Sequence, residues 1–301
     1  MRSVTIGIPA YNEEKNIANL LRALEDQYSR EMIQEVIISD DSSDRTPELV
    51  KRFAMHSSLP VTLLHHSRRR GAAAAWNEIF HRASSDTVIL YDADVIPHPS
   101  CTLQLASQIE GPVALCASNS RPVEATGMAG RASRFVSDWL GSVRLAKMSR
   151  YTVMGRALSI DSAAAKRIVI PTDTIAIDLY LQCRVLEMGL EVVYDGGAIV
   201  YFRPATSMPD FASQIVRAVN GHGQLRDYAS RFRIDLPVRT AAANVIKNAA
   251  KDPVGAASAA IGFVMMPYYR SKLTEAGVNS AKWQTAQTSK SIDYQQLRSS
   301  F

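Results

Sequence analysis

Apolar positions in the first hundred residues fall into short continuous runs separated by stretches of helical period. Val4-Thr5-Ile6-Gly7-Ile8, Val36-Ile37-Ile38, Val61-Thr62-Leu63-Leu64 and Val88-Ile89-Leu90-Tyr91 lack the period-two alternation of a half-exposed strand. Between the first two, residues 13–24 place Ile17, Leu20, Leu21 and Leu24 on one helical face. Asp44 stands where a cap is needed, ahead of a helix whose first turn carries Pro47 and Glu48. Residues 72–83 are alanine-rich and predict a third helix. Strands apolar on both faces, alternating with helices, predict a doubly wound and mainly parallel α/β sheet. Such sheets bind ligands beyond the carboxyl ends of their strands.

The second half is mixed. Strands are predicted over 113–117, 151–154 and 157–160, with Gly155 between the last two, and short strands over 192–194 and 199–202 flank Gly196-Gly197. Helices are predicted over 131–150, 175–188 and 211–225, the second closed by Gly189. The tail after about residue 279 is polar and is expected to be mobile. No internal repeat is visible.

Composition narrows the class. Apolar residues make up 47% of the 301 and charged residues 21%, which excludes a disordered chain, a collagen and a disulfide scaffold. Charge is uneven. Residues 1–200 hold 21 basic and 23 acidic side chains, whereas 201–301 hold 13 and 6, a net of +7. A basic last third suggests an anionic partner or, more plainly, a cationic soluble surface. Cys101, Cys116 and Cys183 are odd in number and show no CxxC spacing, so buried free thiols are expected. The first strand begins at once, with no signal-peptide pattern, and a cytoplasmic location is expected. Residues 253–269 are uncharged but rich in alanine and glycine, too weakly apolar for a membrane span. They predict either an ordinary packed helix or a peripheral contact, through 240–270, with the inner face of an anionic membrane.

The strand ends carry the candidate chemistry. Asp92-Ala93-Asp94 follows the fourth run, and its i, i+2 spacing puts two carboxylates on one side of the chain. Magnesium is commonly held by one or two carboxylates plus substrate phosphates, so this pair suits Mg²⁺ or Mn²⁺ on a diphosphate. The plainer alternative is a turn with a helix cap. Asp40-Asp41-Ser42-Ser43-Asp44 follows the second run, where a carboxylate can accept the imide proton of a base or cap a helix. Arg68-Arg69-Arg70 precedes the alanine-rich helix, where one of the three guanidinium groups, written here as Arg70, is expected to meet phosphate. A solvated surface run is the alternative.

Taken together, residues 5–14 (TIGIPAYNEE), 36–44 (VIISDDSSD), Gly71 with Ala75-Trp76-Asn77, and 88–97 (VILYDADVIP) resemble family 2 glycosyltransferases of the GT-A fold in order and spacing. The resemblance is close over about the first hundred residues and looser to about 225. It implies a GT-A catalytic unit over 1–228, divided into a nucleotide-sugar half (1–110) and an acceptor half (111–228). Residues 229–301 then form a helical C-terminal extension. It implies nucleotide-diphospho-sugar donors, most often UDP-linked, and a glycan or lipid-linked acceptor. Pro9, Tyr11 and Glu13 would line the base and ribose pocket, Asp41 would accept the imide proton, Asp92 would touch ribose and metal, and Asp94 would ligate the metal. Gly155 would leave room for the acceptor. Asp178, in Ile177-Asp178-Leu179 ahead of a helix ending at Gly189, would be the catalytic base, with Asp173 as its rival. Gln214-Ile215-Val216-Arg217-Ala218 looks like a QxxRW motif, with Arg217 toward the diphosphate; alanine in place of tryptophan argues against a processive role. His222 is expected to be structural.

A single carboxylate base and a metal-held diphosphate imply one displacement with inversion at the anomeric carbon. The rivals are a non-catalytic or partner-dependent protein on the same fold and a nucleotidyltransferase. The second lacks its glycine-rich loop after strand one, and the same lack excludes a GxGxxG dehydrogenase. Nucleic acid is not an expected partner, because the basic residues are not interleaved with aromatics.

Overall fold

Runs that are apolar on both faces must be covered from both sides, and the chain does this with one sheet. In the computed structural model, which describes residues 2–123, 126–145, 156–234, 238–275, 292 and 294–299, strands β1 (Val4–Ala10), β2 (Ile33–Asp40), β3 (Val61–His65) and β4 (Thr87–Tyr91) alternate with helices α1 (Ile17–Glu25), α2 (Thr46–Ala54) and α3 (Ala72–Arg82). There follow β5 (Val95–Pro97), α4 (Cys101–Ser107), β6 (Val113–Pro122), α5 (Gly127–Leu145), β7 (Ala157–Asp161), α6 (Ser162–Lys166), α7 (Ile177–Glu187) and β8 (Glu191–Phe202). Helices α8 (Met208–Gln224), α9 (Arg226–Ser230), α10 (Val238–Lys251), α11 (Pro253–Glu275) and α12 (Tyr294–Arg298) complete the chain.

The strand order is β3-β2-β1-β4-β7-β6-β8-β5. β1 pairs in parallel with β2 and β4, and β2 with β3. β7 runs antiparallel between β4 and β6, β8 is parallel to β6, and β5 is an antiparallel edge. The carboxyl ends of β1, β2, β4 and β6 therefore share one edge of the sheet. One face is covered by Ile17, Leu20 and Leu24 of α1, Val50 of α2 and Leu105 of α4. The other is covered by Trp76, Ile79 and Phe80 of α3 and Leu181 and Val185 of α7. Full burial of each such large apolar side chain contributes about 1.5–3 kcal/mol. A separate cluster joins Phe135 of α5, Phe211 of α8 and Ala259 of α11.

Several expectations need correction. The predicted strands at 192–194 and 199–202 are one strand, β8, whose pairing with β6 shifts register between Ala117 and Asn119 so that Gly196-Gly197 lie within a bulge. α1 begins at Ile17 rather than Glu13, because Asn12 is left-handed (φ 55°) and the Glu13 N–H donates to Thr46 Oγ1 at 2.8 Å. The tail is not free throughout: Ile292 and Tyr294 are buried against Ala23 and Ile96, and Asn19 Nδ2 donates to the Ile292 carbonyl at 2.8 Å. The predicted strand at 151–154 and the end of the helix predicted to 150 lie outside the described residues. The cap position of α2 is Arg45 rather than the expected Asp44, which stands one residue earlier with its Oδ1 accepting the Thr46 N–H at 3.0 Å, and Gly189 is left-handed (φ 76°) just beyond α7. All three cysteines are free and buried. Among the described residues no helix is long and apolar enough to cross a membrane.

Candidate active site

The loop after β1 and the loop after β2 are built as one unit. Ser42 Oγ accepts the Asn12 N–H at 2.8 Å, and Asn12 Oδ1 accepts the Ser43 N–H at 2.9 Å. Beneath them Asp40 is fully buried and accepts from His65 Nδ1 at 2.6 Å. Glu13 is buried, and its carboxylate receives Asn16 Nδ2 at 3.0 Å. Pro9 and Tyr11 are half-buried in the same loop. The guanidinium carbon of Arg69 lies 3.8 Å from the centre of the Tyr11 ring, a cation–π contact on the face expected to meet a base.

Asp41 and Arg70, expected to serve different parts of a ligand, are paired. Asp41 Oδ2 accepts the backbone N–H of Arg70 at 2.6 Å and of Gly71 at 3.0 Å, while Oδ1 accepts Arg70 Nε at 3.1 Å. Arg70 Nη2 also reaches Glu78 Oε2 and Ser39 Oγ, at 2.8 and 2.9 Å. The anion favoured by the N-terminus of α3 is thus the protein's own Asp41. The Arg70 guanidinium is thus held between two carboxylates, Asp41 and Glu78.

The second cluster forms at the end of β4. Asp92 and Asp94 stand side by side, and Asp92 is pushed up to about 8, by burial first and by the charge of Asp94 second. Arg156, Arg217 and Asp178 all act on Asp92 as well, the two arginines favouring its charged form and Asp178 opposing it. Arg156 Nη1 lies 3.9 Å from Asp94 Oδ1, its guanidinium covers the Phe202 ring at 3.8 Å, and its carbonyl accepts the Asp92 N–H at 2.9 Å. Arg217 projects from α8 into the field of Asp92, Asp178 and Asp94. Asp178 sits in the first turn of α7 and also acts on the charge of His222, whose pKa burial lowers.

α8 holds the start of α7 in place. Gln224 Oε1 accepts the Ile175 N–H and Gln224 Nε2 donates to the Asp173 carbonyl, both at 2.9 Å. One turn back, a Cβ on Gly221 would lie 2.8 Å from the Ala176 Cβ, so only glycine lets the two segments approach this closely. Asp173, the rival base, is exposed and is engaged through its backbone carbonyl.

Of the residues singled out from sequence, Asp92, Asp94, Asp178 and Arg217 come together, while Pro9, Tyr11, Glu13, Asp41 and Arg70 form the neighbouring group on the same sheet edge. Gly155 lies outside the described residues. The sequence singled out Arg69 only as one of three candidate phosphate ligands, not as a partner of Tyr11, and gave no sign of Arg156, Gly221 or Gln224. Arg156 faces Asp92 only because β7 runs antiparallel beside β4, and no periodicity in 150–160 signals that pairing.

Two carboxylates at the carboxyl end of a parallel strand, with arginines and a third carboxylate around them, suit a metal-bound diphosphate. The family model for glycosyl transferase family 2 matches residues 5–155. The chain belongs to this family. Relatives of the chain include a dolichol-phosphate mannosyltransferase of Pyrococcus furiosus, 32% identical over 96 residues, covering 32% of this chain and 26% of the relative. An undecaprenyl-phosphate 4-deoxy-4-formamido-L-arabinose transferase of Pseudomonas fluorescens is 33% identical over 110 residues, covering 36% of this chain and 32% of the relative. The chain thus matches only about a quarter to a third of the length of these relatives. In fold it is similar to a mannosyltransferase of Pyrobaculum calidifontis solved with GDP-Man and Mn²⁺ (TM-score 0.65, 21% identity, 93% of this chain and 86% of the other).

The family 2 match takes in the ends of β1, β2 and β4 and stops before α7 and α8, so Asp178 and Arg217 lie beyond it. Among the described residues no group of three His, Cys, Asp or Glu side chains is placed to hold a metal ion. The donor set nevertheless fits a hard divalent cation completed by substrate oxygens: a cation would offset the burial that chiefly holds Asp92 high and the like charge of Asp94 that adds to it.

Proposed function

We propose that the chain is a metal-dependent, inverting glycosyltransferase that moves a sugar from a nucleotide-diphospho-sugar to a hydroxyl of a glycan or lipid-linked acceptor. The observation that carries this reading is the convergence of Asp92, Asp94, Arg217 and Asp178 from three separate elements. A site holding two carboxylates for a cation, an arginine for phosphate and a separate carboxylate for a proton has the parts that sugar transfer needs.

Tyr11, with Pro9, Glu13 and Asp41, receives the base and ribose. Arg69 over Tyr11 either yields to the base or sandwiches it. Arg70 orients Asp41 rather than meeting phosphate. Asp92 and Asp94 would hold Mg²⁺ or Mn²⁺ together with the diphosphate. The cation, when bound, neutralises charge growing on the departing nucleoside diphosphate. Arg217 adds to that stabilisation from α8. Asp178 takes the acceptor's proton as its oxygen attacks the anomeric carbon, a role worth typically about 10²–10⁴-fold. One displacement inverts that carbon.

The names of the two relatives, which act on dolichol phosphate and an undecaprenyl phosphate, favour a lipid-linked acceptor. Such an acceptor would bring the chain to a membrane surface. The anomeric configuration of the product, read by NMR against that of the donor, tests the mechanism: inversion is expected, and retention would contradict it.

A further inference from the structure

α11 is packed inside out. A surface helix ordinarily turns its large apolar residues to the core and its small or polar ones to water. Here the buried positions are Gly255, Ser258, Ala259 and Gly262. A Cβ on Gly262 would lie 2.5 Å from Phe211 Cε1, so the helix backbone is pressed onto α8. The outward positions include Val254, Ala257, Ile261, Val264 and Tyr268, spaced three and four apart on one face, with Ala260, Phe263 and Pro267 exposed beside them. Val264 is 80% exposed, Tyr268 56% and Val254 52%. No charged residue interrupts this stripe between Pro253 and Tyr269, and Arg270 follows it. The helix is about 34 Å long, yet it is not apolar enough to span a bilayer.

The stripe begins at a basic cavity. Val254 lines it together with Arg131, Arg134 and Lys251. The adjoining cavity, of about 480 Å³, adds Arg121 at the end of β6. Asp138 and Asp252 also line these cavities. Asp138 is paired with Arg134 at 3.6 Å, and Asp252 caps α11 through the Gly255 N–H at 2.8 Å. Four cations against two carboxylates leave the cavity positive. Arg121 and Asp92 emerge on the same sheet edge, because β6 and β4 run the same way with β7 between them.

We propose that α11 lies flat on a bilayer of anionic phospholipid, with Val254, Ile261, Val264 and Tyr268 among the acyl chains and Arg131, Arg134 and Lys251 on the phosphate headgroups. Charge selects this occupant: residues 201–301 carry a net +7, which repels a second copy of the chain and attracts an anionic surface. Docked this way, the carboxyl edge of β6 faces the lipid, and a lipid-linked hydroxyl needs to travel only along that edge to reach Asp178. The proposal deepens the lipid-acceptor reading above and takes its purpose from it, but its test does not depend on transfer activity.

The full chain is floated with vesicles of phosphatidylcholine alone and of phosphatidylcholine mixed with phosphatidylglycerol. The expected result is binding to the mixed vesicles and little to the neutral ones. Ile261→Asp with Val264→Asp changes only exposed positions and should abolish binding. Arg134→Glu with Lys251→Glu should weaken it by roughly tenfold or more. Circular dichroism confirms the fold of each variant, and donor-nucleotide binding in solution should match the wild type. Equal binding to neutral vesicles, no binding by the folded wild type, binding that survives both double variants, or a dimer in solution that Val264→Asp dissociates would each overturn the proposal. Failure of the wild type to bind any donor nucleotide would instead count against the glycosyltransferase reading and leave the vesicle result standing.

Discussion

The side-chain amide of Gln224 closes on the backbone of Ile175, accepting its N–H at 2.9 Å while donating to the carbonyl two residues before. Through this clamp one helix, α8, both supplies Arg217 and sets where α7 begins, and with it Asp178. Gln224→Ala should therefore lower kcat by about tenfold to a hundredfold, since a misplacement of 1 Å can cost that much. Donor-nucleotide affinity should change little. Gln224→Glu keeps the acceptor for Ile175 but places an oxygen against the Asp173 carbonyl, and should fail to restore the rate. Steady-state kinetics beside nucleotide titration checks both.

Asp92 should cost stability in the metal-free fold. Burial and the charge of Asp94 hold its pKa at about 8, far above the ordinary 3.8. A carboxyl raised in the folded state favours unfolding at any pH above its unfolded value. Asp92→Asn should thus raise the Tm of the metal-free protein by a few degrees at neutral pH. The gain should open above about pH 4, grow with pH and level off beyond about pH 8. Thermal melts in a chelator across that range measure it.

The first four strands, three of their helices and the paired carboxylates at strand ends were legible in the sequence, because buried parallel strands write themselves as unbroken apolar runs. Asp178 was legible only through resemblance. The pairing of Arg70 with Asp41 was not: residues 29 positions apart meet because β2 and β3 are neighbours, and a run of three arginines does not show which one turns inward. Arg156 was hidden for the same kind of reason, at the head of an antiparallel strand with no period of its own. The inverted packing of α11 was half visible. Alanine, glycine and bulky apolar residues alternate there without a strong periodic bias, and only contact with Phe211 shows that the small ones face in.

The Arg70 network should matter for stability as well as for the donor. Burial works to raise the pKa of Glu78, but hydrogen bonds from Arg70 and Ser39 and the charge of Arg70 outweigh it and hold it low. A carboxyl depressed in the folded state stabilises above its unfolded value and loses that contribution as pH falls through the folded one. Arg70→Met should lower the urea midpoint at neutral pH, with the difference from wild type shrinking as pH drops below about 4. It should also weaken donor binding by loosening Asp41. Urea titrations at several pH values and nucleotide titration test the two effects separately.

On the proposed function, Asp92, Asp94, Arg217 and Asp178 work as one metal-dependent sugar-transfer site. The most direct test is release of nucleoside diphosphate from a panel of UDP- and GDP-sugars with Mn²⁺ or Mg²⁺, comparing the wild type with Asp94→Ala and Asp178→Asn. Metal-dependent release from at least one donor is expected, lost in Asp94→Ala. In Asp178→Asn, nucleotide binding should persist while turnover falls by about 10²-fold or more. Release that ignores the metal, or survives Asp94→Ala unchanged, would contradict it.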